Sequence, residues 1–198
     1  MSSDPTIPEP DLEDLAQQVA DAVEAFLVSV QAISREETAG TAISLLLLEV
    51  SQLLLAGARL GAQTDFEPQQ KYQPDVGPDP DLDAMRLRLA KLLGGADTYS
   101  HNFEPYVPET LPALMSDDLA SIAEDVSHGL RHFRAGNPVE ALWWWQFSYL
   151  ASWGSTACGV LSALHSVVAH DRLDTDFEGE NERVAVADEV LDTEEPLS

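Results

Sequence analysis

Basic residues are scarce in this chain: ten Lys and Arg stand against 35 Asp and Glu in 198 residues, for a formal net charge of −25. Nucleic acid is excluded as a partner on that ground, because affinity for a phosphate backbone comes from clustered positive charge. Anionic membrane surfaces are disfavoured for the same reason. Cysteine is nearly absent, and the single thiol, Cys158, excludes both an intramolecular disulfide framework and a cysteine-based zinc site. No segment alternates polar and β-branched residues, so no strand is expected. Glycine-rich phosphate loops, Gly-x-Ser-x-Gly elbows, His-Glu-x-x-His and paired aspartate motifs are all missing, which lowers the expectation of an enzyme. The opening MSSDPTIPEPDLED is acidic and Pro-rich where a secretory signal needs a basic region and an apolar run. A cytoplasmic setting is therefore expected.

What is present is apolar material, 44% of the residues, enough to bury a real core. Charge is concentrated at the ends. Residues 1–33 hold 7 acids and no base, 34–170 hold 17 acids and 8 bases, and 171–198 hold 11 acids and 2 bases. The expected organisation is a flexible acidic stretch over 1–10, one helical domain over 11–172, and a mostly disordered acidic tail over 173–198.

Within the domain, Leu12, Leu15, Val19, Val23, Phe26, Val30 and Ile33 recur at steps of 3 and 4, which puts them on one helical face. Ser34 and Glu37 have the capping-box spacing and predict a second helix starting there. Its middle, ISLLLLEVSQLLLAGA, is apolar on nearly every side and predicts a helix surrounded by others. Five breakers between Asp65 and Pro80 make a connector. Asp79-Pro80 then opens a third helix that stops at Gly94-Gly95. Residues 96–115 read as an ordered loop, Ser116 as the cap of a fourth helix, and Asn137-Pro138 as the start of a fifth that runs to about His170.

That fifth helix lies in a stretch free of Asp, Glu, Lys and Arg from 141 to 170, long enough to cross a bilayer but carrying polar residues and no basic flank, so burial is expected instead. Ser148, Ser152, Ser155, Gly159, Ser162 and Ser166 form a small-residue stripe along it, expected to receive the second helix. The fold class is thus an all-α single-domain bundle of about five main helices, with helices two and five central.

Candidate chemistry is sparse. Glu124, His128 and His132 fall on one face of helix four, and that spacing can hold a metal, but the face lies opposite Leu119, Val126 and Phe133 and is expected to meet water. Glu49 interrupts the apolar run of helix two, with Gln52 and Arg59 on the same side; it marks either a solvated stripe or a small-molecule pocket. Trp143, Trp144 and Trp145 point about 100° apart, so they either pack in the core together or send one indole to a groove. Tyr99, Phe103 and Tyr106 of the aromatic loop are the expected companions of such a partner surface.

HFRAGNPVEALWWWQFSYLASWG resembles the central turn of a tetratricopeptide repeat, over barely one repeat and with no recurring period, so it implies only a shared helical hairpin. LLLLEVSQLLLAGARLGA, KYQPDVGPDPD, FRAGNPVEALWWWQFSYLASWGSTA and VVAHDRLD together resemble an uncharacterised bacterial family known only as a domain of unknown function, DUF5063. The resemblance covers most of residues 12–173 and implies an all-α domain without assigned catalytic residues. On function, the reading is an interaction or regulatory module for an unknown protein partner, a basic one being favoured by the acidic ends, with no cofactor. The runner-up is a small-molecule or metal-dependent enzyme built on the Glu49 stripe or the His128/His132 face.

Overall fold

The computed structural model describes residues 12–68, 75–102, 106 and 109–192, with side chains up to position 173. Helix α1 spans Leu12–Ile33 and buries Leu15, Val19, Val23, Phe26, Val30 and Ile33, the face its spacing predicts; Leu12 itself stays exposed. Helix α2 spans Ala39–Gly61. It starts later than the capping-box reading puts it, because Ser34 belongs to the end of α1: its N–H donates to Val30 O and its hydroxyl to Gln31 O.

Helix α2 packs on α1 and on the last helix, but it is not surrounded. Leu48 and Leu55 remain 52% and 59% exposed. Among the described residues α2 is the helix long and apolar enough to cross a membrane, with a mean hydropathy of 1.7 over its most apolar window. In this fold its other face, Ala42, Ile43, Leu46, Val50, Leu53 and Leu60, is core.

Helix α3 spans Asp83–Leu93, and its first N–H is held by Asp81 rather than Asp79. The loop expected over 96–115 contains a two-stranded antiparallel ribbon, β1 (Thr98–His101) with β2 (Leu111–Leu114), in register from Thr98↔Leu114 to His101↔Leu111. Four-residue strands carrying a proline at position 112 leave no periodicity to read, which is why the sequence does not announce them.

Helix α4, Met115–Arg134, follows β2 directly. Ser116 is therefore not its cap. The buried Asp97 does that work, accepting from the Ser116 N–H and hydroxyl at 2.8 Å each, while its own carbonyl accepts from Met115 N–H.

The fifth helix is interrupted. α5 spans Pro138–Ser148, a π turn covers Tyr149–Trp153, and α6 runs Gly154–Asp192. Gly154 N–H reaches back to Tyr149 O, five residues, which marks the inserted residue. The backbone continues helical through 174–192, where disorder is expected; that segment holds four Glu, four Asp and three Val, one glycine, and no proline before 196, so no proline stops a helix already under way.

The close approach of α2 to this helix is inverted relative to the expectation. The small-residue stripe of Ser152, Ser155, Ser162 and Ser166 is exposed, and Gly159 lies under the His101 ring of the ribbon. It is α2 that supplies the glycines. A Cβ on Gly57 would stand 2.5 Å from the Tyr149 ring and 2.6 Å from that of Trp153, so only hydrogen fits there. Gly57→Ala is expected to lower stability by about 1–3 kcal/mol through overpacking, or roughly 2–4 °C of Tm per kcal/mol at this chain length. Gly40→Ala, on the same helix in open space, is expected to raise it by about 0.5–1 kcal/mol. Thermal unfolding of the two variants separates packing from propensity.

Candidate functional site: an aromatic groove beside the π turn

The three consecutive tryptophans take three different environments. Trp145 is fully buried against the close-packed Gly129, with its indole N–H donating to Val126 O at 2.9 Å. Trp144 is half-buried and donates to Asp125 O at 3.1 Å. Trp143 turns outward and stacks on Phe147, ring centroids 5.3 Å apart and planes within 5°. The alternative in which all three share the core is thus not the one realised.

Trp143 and Phe147 form one wall of a depression of about 310 Å³, completed by Leu150, Ala151, Phe66, Gln146 and Asp65. Phe147 is 52% and Leu150 63% exposed. The inserted residue of the π turn advances the helix by an extra step, and this is where Leu150 emerges. Phe66 is placed by Gln146, whose Oε1 accepts from Phe66 N–H at 2.9 Å while its Nε2 donates to Leu60 O at 2.9 Å. One buried amide therefore ties the end of α2 and the following turn to α5. Asp65 and Glu67, both exposed, leave negative charge at this rim.

The other candidates are dispersed. Glu49 is half-buried on α2, Gln52 is exposed, and Arg59 reaches Gln18 of α1 at 3.2 Å, so the three do not close a pocket. Tyr99 lies on β1, where its hydroxyl donates to Asp118 Oδ2 at 2.7 Å; burial and that bond push the phenol above its usual range. It lines a different cleft, with His101, Gly159 and Ser162. Tyr106 is 93% exposed, and Phe103 lies outside the described residues.

The histidines correct the sequence reading most sharply. His132 is completely buried and His128 half-buried, their Nε2 atoms 3.3 Å apart, instead of facing water. Two elements cover that face: α5 brings the Trp144 ring onto His128 and Glu140 near His132, and the connector follows as Arg131 donates to Pro78 O at 2.9 Å and pairs with Asp79. Glu124 points elsewhere, exposed in a groove with Arg86 and Asp117. Among the described residues no group of three His, Cys, Asp or Glu side chains converges to hold a metal.

A family model described as a domain of unknown function, DUF5063, matches residues 10–170. The chain belongs to the DUF5063 family. Comparison with curated proteins returns no significant match. Among solved structures, this DUF5063 domain is similar to protein BF1032 from Bacteroides fragilis, with a TM-score of 0.59 and 20% identity over 79% of this chain and 92% of that one. That likeness speaks to the helical fold alone.

Sequence reasoning missed Phe66, Gln146, Phe147 and Leu150 as one site. Gln146 alone carried a signal, as a long polar side chain inside an uncharged helix. Gln146→Leu is expected to leave Phe66 N–H without a partner, to take one of two donors from Leu60 O, and to lower stability by about 1–3 kcal/mol. Gln146→Glu keeps the acceptor for Phe66 and should retain more of the Trp143 fluorescence signature than the leucine variant. Chemical denaturation with fluorescence detection reads both.

Proposed function

We propose that this domain is a protein-interaction module, and that its aromatic groove takes a bulky apolar side chain presented by a basic segment of a partner protein. The observation that carries the reading is the exposure of Phe147 and Leu150, 52% and 63%, around a depression walled by Trp143 and Phe66. Large apolar side chains gathered at a concave site are what a docking hot spot needs, and scattered single exposures are not. Charge chooses the partner. Asp65 and Glu67 sit at the rim, and the chain carries −25 overall, so a cationic segment is attracted and an acidic one repelled.

The acidic ends favour encounter in the same direction, and such steering fades as salt shortens the screening length to about 8 Å at physiological strength. An enzyme built on Glu49 or the histidine pair draws no comparable support, since neither lines this depression. The cytoplasmic setting read from the sequence is kept as part of the proposal.

A labelled helical peptide with leucines on one face and arginines on the other is the probe. It is expected to bind the full chain and to shift Trp143 fluorescence. Phe147→Ser with Leu150→Ser should weaken it at least tenfold, about 1.4 kcal/mol, without lowering Tm. Replacing the arginines by glutamates should abolish binding, and added salt should slow association more than it speeds dissociation. Equal affinity of the arginine and glutamate peptides, or of the wild type and the double variant, rejects the reading.

A further inference from the structure

We propose that His128 and His132 form an acid-released latch beside the aromatic groove, closed at neutral pH and opened by protonation, so that the groove holds its partner less well as the solution is acidified. The regulation rests on the groove being the binding site proposed above; the latch itself rests on geometry independent of it.

A guanidinium only donates. Arg131 Nη2 lies 2.7 Å from His128 Nδ1, so that nitrogen is the acceptor and the His128 proton sits on Nε2. Nε2–H then faces His132 Nε2 at 3.3 Å, which must accept in turn. His132 is left with its proton on Nδ1, buried and without a hydrogen-bond acceptor. Each ring is neutral because its neighbour requires it.

A further proton has no place in this arrangement. On His128 it would occupy Nδ1 and face Arg131; on His132 it would occupy Nε2 and face the N–H of His128. The groups around the pair come from three elements. Asp79 of the connector approaches His128 Nδ1 to 3.6 Å, Asp125 and Arg131 flank it on α4, and the buried Glu140 of α5 faces His132. Burial, with Arg131 near both rings and His128 beside His132, outweighs those carboxylates and holds both imidazoles below their ordinary range. The released state recovers an ordinary imidazole near 6.5, so it binds protons first as pH falls, and the latch is closed above that value and progressively opened below it.

The consequence reaches the groove through a row of touching rings. His128 lies on Trp144 with centroids 4.0 Å apart. Trp144 is 6.0 Å from Trp143 and 6.4 Å from Phe147, and those two form the stacked wall. A protonated His128 is drawn off that face toward Asp79, already within 3.6 Å. Trp144 then keeps its bond to Asp125 O but loses the ring packed on its face, and ordering the wall around a ligand costs more.

The test uses the full chain. Indole and imidazole resonances are followed from about pH 8 to about pH 5.5, spanning the ordinary imidazole range, with binding of the arginine–leucine peptide measured at both ends. The expected result is a Trp144 indole shift that tracks the His128 titration, and about a tenfold loss of peptide affinity at the acid end. His128→Gln is the decisive variant, because its amide can accept from Arg131 and donate to His132 without titrating; its affinity should be the same at both ends of the pH range. Histidines that titrate while Trp144 stays still, or a His128→Gln protein with the wild-type pH profile, overturn the latch. If the peptide binds at no pH but Trp144 still follows His128, the latch stands and the docking function fails. Wild-type titration alone decides the ring coupling should the variant not fold.

Discussion

Two aromatic rings occupy the space where α2 has only hydrogen atoms. Tyr149 and Trp153 press on Gly57, and Tyr149 also meets Gly61, so the crossing distance of α2 and the interrupted helix is set by rings against backbone. Much of the remaining architecture depends on that contact. Close-packed interiors resist the insertion of even a methyl group, which makes the seat selective for glycine. The π turn lies where those rings enter, and around it Phe147 and Leu150 stand outside the core while Trp145 and Trp153 stay inside it. The helical wall of the groove therefore stands on the same turns that press rings against α2, and Phe66 completes it from the segment after α2.

Buried polar groups then pin the connections to this scaffold. Asp97 joins the ribbon to the start of α4, Gln146 joins the end of α2 to α5, and Arg131 with Asp79 draws the connector onto α4. Each satisfies backbone groups that helix ends or turns leave open, and leaving such groups unpaired in the interior costs about 1–3 kcal/mol. Their common effect is that segments without periodicity are held as firmly as those with it. The side chains around the groove inherit that order, since Phe66 stands on a turn that Gln146 holds.

Helical periodicity was legible because it is local. The core face of α1, the apolar character of α2, the stop at Gly94 and the start at Asn137-Pro138 all follow from spacing and capping chemistry within a few residues. What sequence could not supply is which distant groups meet. Ser34 has the spacing of a cap, yet its hydroxyl closes α1 and meets Arg88, 54 positions away in sequence. Ser116 looks like a cap and is instead held by Asp97, 19 positions before it. His128 and His132 stand opposite the apolar face of their own helix, so an isolated α4 would expose them; α5, with Trp144 and Glu140, and the connector at Asp79 cover that face. The groove is only half local: Trp143, Phe147 and Leu150 have the i, i+4, i+7 spacing of one bulky stripe, which reads as packing, whereas Phe66 is brought to them by Gln146, 80 positions away in sequence.

The charge distribution bears on how such a surface can act. A chain at −25 repels copies of itself and other acidic proteins at long range, and that repulsion is collective, whereas docking is a matter of a few side chains. Exposed Phe147 and Leu150 on a weakly charged protein would invite indiscriminate apolar association. On this one, Asp65 and Glu67 at the rim and the acids of both ends oppose that outcome for every partner lacking positive charge. For the docking role proposed above, discrimination would thus come from repulsion of the wrong partner as much as from attraction of the right one. The family match over 10–170 and the fold shared with BF1032 concern the helical frame, whereas that proposal rests on the few residues the frame brings together at one rim.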